Sequence, residues 1–298
     1  MQRTPQGGPT SGSAAPGPAV RIELAHALPD LGVLEPLARR VFGRGDRPAG
    51  WFRRKLRREQ VRAELSALAV RAEAGVEDPE GWLGYVLVGT PASLGDAART
   101  SGTGVVPAAR GRAIASRLLD AVARACHDAG YRRLQLLAEA RLVPFYRRRG
   151  FDAGRPTVTA LGFATGDVRG RDRDREVLGP ALPWRPLEPG EHTRVAWLPE
   201  AWAGTEAHAR RTCAWTDAGT QVTAWISREG QAWLVQRLVS RGPGTLATIA
   251  AGLLDRLPRA APVLLPLLPA DDPQTRALLD DRFVAAQRGS LLERSLDD

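Results

Sequence analysis

VVPAARGRAIASRLL, residues 105–119, carries the clearest structural pattern in this 298-residue chain. An apolar pair ends at a proline, and small residues with two arginines lead into apolar residues at helical spacing. This order predicts a strand, a short loop and the start of a helix. The first N–H groups of a helix lack intrahelical partners and carry partial positive charge. Arg110 and Arg112 would be repelled there unless an anion lay between them, so the stretch suits a phosphate group.

The positive charge of the chain is concentrated around this stretch. The net charge is +9, and residues 101–150 hold 10 arginines against 3 acidic residues, whereas residues 151–298 hold 18 against 19. A strongly basic chain raises the hypothesis of a nucleic-acid binder, but no basic patch is interleaved with aromatic residues, so we expect no nucleic-acid partner. The basic run from Arg53 to Arg62 is interpreted as a solvated helix face, or otherwise as the lining of an acceptor site for an anionic substrate.

Composition excludes several other classes of protein. No apolar run reaches about 18 residues, so we expect no membrane span. Residues 1–19 are rich in Gly, Pro and Ser, which predicts a disordered tail and not a signal peptide. Cys126 and Cys213 lie far apart, so we expect no disulfide framework and a cytoplasmic location. The four histidines show no ligand spacing, and we expect no metal site.

Alternating and helical apolar patterns divide the first half of the chain into regular elements. The predicted strands are 20–27, 66–75, 81–89, 102–107, 134–139 and an extended segment to Phe163, and the predicted helices are 31–43, 50–65, 113–129 and 143–151. The charged segment 166–183 has no period and is interpreted as a linker. These patterns predict domains at 20–165 and 184–298.

The second half repeats the order of elements found in the first. Two strands within Gln221–Ser240 precede an apolar helix, a short strand, and a helix that runs into a last strand. The distance from Leu119 to Phe151 is 32 residues and that from Leu254 to Phe283 is 29 residues. Matching order at similar spacing predicts a duplicated domain.

The sequence lacks two common phosphate-binding motifs but resembles a third kind of phosphate-binding segment. The sequence has neither GxxxxGK[ST] nor GxGxxG, which excludes a P-loop and a dinucleotide fingerprint. Residues 105–119 resemble the acyl-CoA-binding motif of the GNAT acyltransferase superfamily, R/Q-x-x-G-x-G/A after a strand ending in V-x-P. LLAEARLVPFYRRRGF, residues 136–151, resembles the FY…GF segment of the same family. The resemblance implies an α/β (α+β) fold with a mixed, mostly antiparallel sheet flanked by helices, here as two GNAT-like domains in tandem.

The resemblance also implies roles for individual residues. Arg110 matches the leading R/Q and would contact a phosphate, and Tyr146 matches the tyrosine that protonates the departing CoA thiolate. The loop and first helical turn would hold the pyrophosphate; they comprise Gly111, Arg112, Ala113, Ile114, Ala115 and Ser116. Val105 and Val106, at the end of the preceding strand, would pair with the pantetheine arm. Ala113 departs from the family, which has glycine there. Residues 101–106 contain no carboxylate, so the expected base is an ordered water.

These matches imply an acetyl-CoA-dependent N-acyltransferase with acetyl-CoA as its cosubstrate and a small-molecule or peptide amine as its acceptor. The alternative is a non-catalytic acyl-CoA-binding or regulatory module. The second half has Leu246 where the cradle needs a small residue, Leu278 in place of the tyrosine and Arg282 in place of the glycine. It is therefore interpreted as a degenerate repeat that serves stability, acceptor-site shaping or homodimer formation.

Overall fold

The computed structural model describes residues 19–43, 49–90, 94–166, 192–193, 210–217, 219–229 and 231–297. The predicted tail falls outside these ranges except for residue 19, and the predicted linker falls outside them except for Gly166. The described helices include none that is long and apolar enough to cross a bilayer.

The first half follows the predicted order of elements. Its strands are β1 (Val20–Leu24), β2 (Ala67–Arg71), β3 (Trp82–Gly89), β4 (Ala97–Val105), β5 (Arg133–Glu139) and β6 (Asp152–Phe163). Its helices are α1 (Glu35–Phe42), α2 (Trp51–Arg58), α3 (Ile114–Asp128) and α4 (Val143–Arg147). The predicted helix 50–65 is shorter than expected, because the chain leaves the helix after Arg58 and makes a separate 3₁₀ turn at Ala63–Leu65.

The second half contributes β7 (His192–Thr193), β8 (Arg210–Asp217), β9 (Thr220–Glu229), β10 (Ala232–Arg241), α5 (Leu246–Arg256), β11 (Pro262–Pro269), α6 (Pro273–Asp281) and β12 (Phe283–Ser295). The run from β10 to β12 repeats the order of the run from β4 to β6: strand, helix, strand, helix, strand. The predicted repetition of element order is therefore present in the structure. The boundaries of two domains remain a prediction.

All the main strands form one sheet in the order β1-β2-β3-β4-β5-β12-β6-β11-β10-β9-β8, and β7 pairs with β10 outside this path. Two neighbouring pairs, β4–β5 and β10–β11, are parallel and the others are antiparallel. Helices flank the sheet, so the predicted fold class, a mixed and mostly antiparallel sheet with helices, is confirmed.

The two halves exchange strands in the middle of this sheet. The last strand, β12, lies between β5 and β6, with Leu291 opposite Leu137 and Val284 opposite Leu161. In turn β6 lies between β12 and β11, with Ala160 opposite Leu265. Neither half therefore has a sheet made only of its own strands.

Two apolar clusters enclose the first half of the sheet. The apolar face of α3, which includes Leu118, Val122 and Cys126, is buried against one face, as its periodicity predicts. This cluster also contains Leu292 and Leu296 from the C-terminal end of the chain. Helices α1 and α2 cover the opposite face in a second cluster, and a third cluster forms the core of the second half.

Candidate functional site

Strands β4 and β5 begin side by side and then part. They pair through Ala97–Arg133, Ala98–Leu134 and Arg99–Gln135, and no further pair joins these two fully described strands. Next to the last pair, the register between β3 and β4 shifts by one residue between Leu87 and Val88. A bulge bends a strand away from its neighbour. The result is a wedge-shaped cleft that opens toward the carboxyl ends of β4 and β5.

The backbone of β4 directs alternate residues into this cleft. Val106 donates its N–H to the oxygen of Leu83 at 2.8 Å, which makes this position a hydrogen-bonded pair with β3. Because such pairs alternate along an antiparallel ladder, Thr103 and Val105 point their N–H groups away from β3 and toward the cleft. The carbonyl of Val106 also accepts from Ala109 at 2.9 Å. Val105 thus presents its N–H to the cleft, whereas both main-chain groups of Val106 are engaged within the protein; the pairing of these residues with a pantetheine arm stays a prediction.

The loop after β4 turns the chain sharply into α3. Gly111 has φ +80° and Ala113, the N-cap residue, has φ +55° and ψ +14°. The left-handed region favours glycine, so Ala113 adopts a costly conformation at the position where the family has glycine. No side chain caps α3 at this N-cap position.

The start of α3 presents uncapped N–H groups. Arg117 donates to the oxygen of Ala113 at 3.1 Å. Among the residues that the structure describes, no acceptor receives the N–H groups of Gly111, Ala113, Ile114, Ala115 or Ser116. Arg112 is half-buried beside them. A run of unsatisfied N–H groups at the positive end of a helix is a suitable binding place for an anion.

Arg110 holds the loop in place. Its Nε donates to the oxygen of Val105 at 3.1 Å, and a terminal nitrogen donates to the oxygen of Val41 in α1 at 3.2 Å. Helix α1 lies so close to β4 here that a Cβ added to Gly104 would lie 2.2 Å from the Val41 side chain. The guanidinium of Arg110 thus has a structural role, and its contact with a phosphate stays a prediction.

Arg149 is a cation that sequence reasoning missed. Its Nε donates to the hydroxyl of Ser116 at 2.6 Å, and its guanidinium carbon lies 5.2 Å from the centre of the Phe145 ring. These contacts place a half-buried guanidinium against the first turn of α3. A signal was present in the sequence, since Arg149 follows Phe145 by four residues and precedes the predicted helix-ending glycine. The signal is hard to recognise, because Arg147 and Arg148, which are both exposed, directly precede Arg149 in the sequence.

Tyr146 lies at the cleft, on the face of the sheet that α3 covers. Its side chain is 7% exposed and makes edge-to-face contacts with Phe145 and Phe151, at ring-centre distances of 5.1 and 5.9 Å. Burial raises the pKa of Tyr146, a hydrogen bond with the Thr103 side chain opposes the rise, and the charge of Glu139 adds to it. The phenol therefore keeps its proton at neutral pH and is placed beside the cleft strand β4.

The opposite face of β4 holds a buried carboxylate, Glu59, at the end of α2. Glu59 is 5% exposed and pairs with Lys55 and, at 3.6 Å, with Arg58. Burial raises the pKa of Tyr85, and the charge of Glu59 raises it further. Sequence reasoning did not find Glu59, because it looked for a carboxylate on β4 itself. An ordered water as base stays a prediction.

The basic run from Arg53 to Arg62 is mostly engaged with partners on the protein. Arg53 pairs with Asp30 at 2.6 Å, and Arg62 pairs with Glu64. Arg54 donates to the oxygen of Ala49 at 2.8 Å. These contacts support the interpretation as a solvated, ion-paired helix face.

The corresponding helix of the second half is capped by the protein. Thr245 accepts the N–H of Thr248 at 3.2 Å, and the side-chain oxygen of Gln274 accepts the N–H of Leu246, the first residue of α5, at 3.0 Å. Leu278, which was predicted to replace the tyrosine, is buried in the core of this half. Side-chain oxygens of the protein thus accept N–H groups at the start of α5, whereas the start of α3 has no side-chain cap.

Comparisons with known proteins agree with this geometry. Residues 83–165 match the model of the acetyltransferase (GNAT) domain. No curated protein shows significant similarity to the sequence. Among solved structures, a Pyrococcus horikoshii protein described provisionally as an acetyltransferase is similar with a TM-score of 0.53 and 11% identity, over 99% of this chain and 93% of that one.

A GCN5-related N-acetyltransferase from Anabaena variabilis is similar with a TM-score of 0.51 and 11% identity, over 94% of this chain and 73% of that one. At this level of identity the two structures show a shared fold. The matched segment contains β4, the loop, α3 and Tyr146. Residues 83–165 are therefore similar to a GNAT acetyltransferase domain, and the chain shares its fold with GNAT-type structures.

Proposed function

We propose that this chain is an acyl-CoA-dependent N-acetyltransferase that binds acetyl-CoA in the cleft between β4 and β5. One observation carries the proposal: strand β4, which parts from β5 after Arg99, leads into the uncapped start of α3 and carries Thr103, which is hydrogen-bonded to the Tyr146 side chain. The family match over residues 83–165 supports the same site.

The residues present fit acetyl-CoA. The N–H groups of Gly111, Ala113, Ile114, Ala115 and Ser116 would hold the pyrophosphate, because no described residue accepts from them and they lie at the positive end of α3. Arg149 would add a charge-assisted hydrogen bond from the side of α4. The N–H of Val105 would pair with the pantetheine arm. Acetyl-CoA would supply the acetyl group as an activated thioester.

The side chains of the cleft would then handle the proton and the developing charge. An N–H of β4 that faces the cleft, from Thr103 or Val105, would polarise the carbonyl under attack, as the donors of an oxyanion hole do. Tyr146 would give its hydroxyl proton to the departing sulfur, because its raised pKa keeps the phenol protonated at neutral pH and thus available as a proton donor. An ordered water would accept the proton of the acceptor amine, a small molecule or peptide.

A non-catalytic acyl-CoA-binding module is the second candidate. It is favoured by the absence of a carboxylate in residues 101–106, all of which the structure describes. It predicts binding of acetyl-CoA with no transfer to any amine. Thiol release from acetyl-CoA in the presence of a panel of amines separates the candidates, provided that the rate without an amine is subtracted.

We interpret the second half as a degenerate GNAT-like unit. Its element order repeats that of the first half, but its helix start is capped by Thr245 and Gln274. Titration calorimetry with CoA should therefore give one site per chain. Two equivalent sites would contradict this reading, and no binding at all would contradict the proposed function.

A further inference from the structure

Three polar residues form a ladder across three neighbouring strands. Arg99 in β4 lies opposite Gln135 in β5, and Gln135 lies opposite Glu293 in β12. Arg99 donates from Nε and a terminal nitrogen to the side-chain oxygen of Gln135, at 3.2 and 2.6 Å. The amide nitrogen of Gln135 donates to Oε2 of Glu293 at 2.7 Å. The ladder therefore links the proposed acyl-CoA strand β4 to the C-terminal strand of the chain.

The ladder stands where the cleft begins. The pair Arg99–Gln135 is the last of the rungs between β4 and β5, and the two strands part beyond it. Its side-chain bonds run in the same direction as the backbone ladder and hold the strands together at that rung.

Glu293 determines the orientation of the middle residue. Arg99 is 9% exposed and its two hydrogen bonds here go to a neutral amide oxygen. Burial lowers the pKa of Arg99 to about 10, while the charges of Glu59 and Glu293 oppose that change. If the amide of Gln135 rotated, its NH₂ group would face the guanidinium, which also has only donors. The carboxylate of Glu293 prevents this rotation by accepting from the NH₂ group.

We propose that Glu293 is a positioning residue of the acetyl-transfer site, through which the C-terminal strand sets the width of the cleft. The proposal rests on the proposed function, since it takes the cleft between β4 and β5 as the acetyl-CoA site. It extends the site beyond the family match, which ends at residue 165. The second half then contributes to the site through β12, whether or not it binds anything itself.

The test compares acetyl-CoA binding by Glu293 variants of the full chain, measured by titration calorimetry well below their melting temperatures. Glu293→Ala should weaken binding about fivefold, within the range by which residues outside a site change its affinity. Glu293→Gln should bind within about twofold of the wild type, because an amide oxygen can still accept from Gln135. Asp297→Ala is the matched control, because it removes a nearby ion pair with Arg132 at 2.9 Å but leaves the ladder intact.

Gln135→Met provides a second route if Glu293→Ala does not fold. It removes the amide at similar length and should weaken binding to a similar extent. The double variant should be no weaker than the single ones, because both remove the same ladder. Wild-type affinity in Glu293→Ala with a lowered melting temperature would overturn the proposal, and so would an equal loss in Asp297→Ala. Failure of the wild-type chain to bind acetyl-CoA would instead overturn the proposed function.

Discussion

Replacing Ala113 by glycine should stabilise the protein. Ala113 has φ +55° and ψ +14°, and it is exposed at the start of α3. A left-handed conformation costs an L-residue about 1–2 kcal/mol, and glycine avoids that cost. Glycine also loses about 0.5–1 kcal/mol more conformational entropy on folding than alanine does. The difference predicts that Ala113→Gly raises the free energy of unfolding by about 0.5–1 kcal/mol.

Ala115→Gly is the control at a position two residues away. Ala115 lies in the first turn of α3 with helical geometry and packs partly against the core. Glycine in a helix costs about 1 kcal/mol relative to alanine, so this variant should be less stable than the wild type. Alanine-to-glycine substitution is thus expected to raise the free energy of unfolding at position 113 and to lower it at position 115.

Urea unfolding followed by circular dichroism measures both changes. The midpoint should rise for Ala113→Gly and fall for Ala115→Gly, with equal slopes for all three proteins. A loss of stability in Ala113→Gly comparable to that in Ala115→Gly would show that Ala113 is not left-handed. The geometry of the uncapped helix start would then be wrong.

Four further outcomes follow from the structure. Arg149→Gln should weaken CoA binding about tenfold or more at low salt, as expected for a charge-assisted contact, whereas Arg148→Gln should not. Arg110→Gln should lower the free energy of unfolding by about 1 kcal/mol, because it removes hydrogen bonds to the oxygens of Val105 and Val41. Equal effects of Arg149→Gln and Arg148→Gln in calorimetry would contradict the first of these outcomes. Tyr146→Phe should lower kcat about 10²- to 10⁴-fold with little change in the Kd for acetyl-CoA. In the wild type, the loss of rate caused by deprotonation of Tyr146 should occur at a higher pH than an ordinary tyrosine would give, because burial raises the pKa of Tyr146. A variant with full kcat would remove Tyr146 from the mechanism. In a Cys213→Ala variant, iodoacetamide at pH 8 should not modify Cys126, because burial raises the pKa of that thiol to about 12. Rapid modification of the folded protein, detected by mass spectrometry, would contradict the buried position of Cys126.

Local patterns predicted the elements around the site. The apolar spacing of α3 and the apolar run of β5 gave their positions to within a residue or two. The resemblance assigns Tyr146 to the departing thiolate; the structure has its side chain hydrogen-bonded to Thr103 of β4, and the role stays a prediction. These features depend on residues close together in the chain, and short-range physics determines them.

Long-range contacts were not predictable in the same way. The insertion of β12 between β5 and β6 joins residues more than 100 positions apart, and the alternating pattern of a strand does not name its partner. The phosphate contact of Arg110 stays a prediction, but its hydrogen bond to the carbonyl of Val41 could not be predicted, because it forms only once α1 packs against β4. Glu293 could not be linked to the site for the same reason.

Hydrogen–deuterium exchange with and without saturating CoA tests the location of the acyl-CoA site most directly. No described residue accepts the N–H groups of Gly111, Ala113, Ile114, Ala115 or Ser116, and these groups should exchange more slowly once a pyrophosphate accepts from them. Peptides that cover Thr245–Thr248 should be unaffected, because protein oxygens already cap that helix. Protection at residues 111–116 alone is the predicted result. Protection at 245–248 without protection at 111–116 would place the ligand elsewhere and contradict the proposed site.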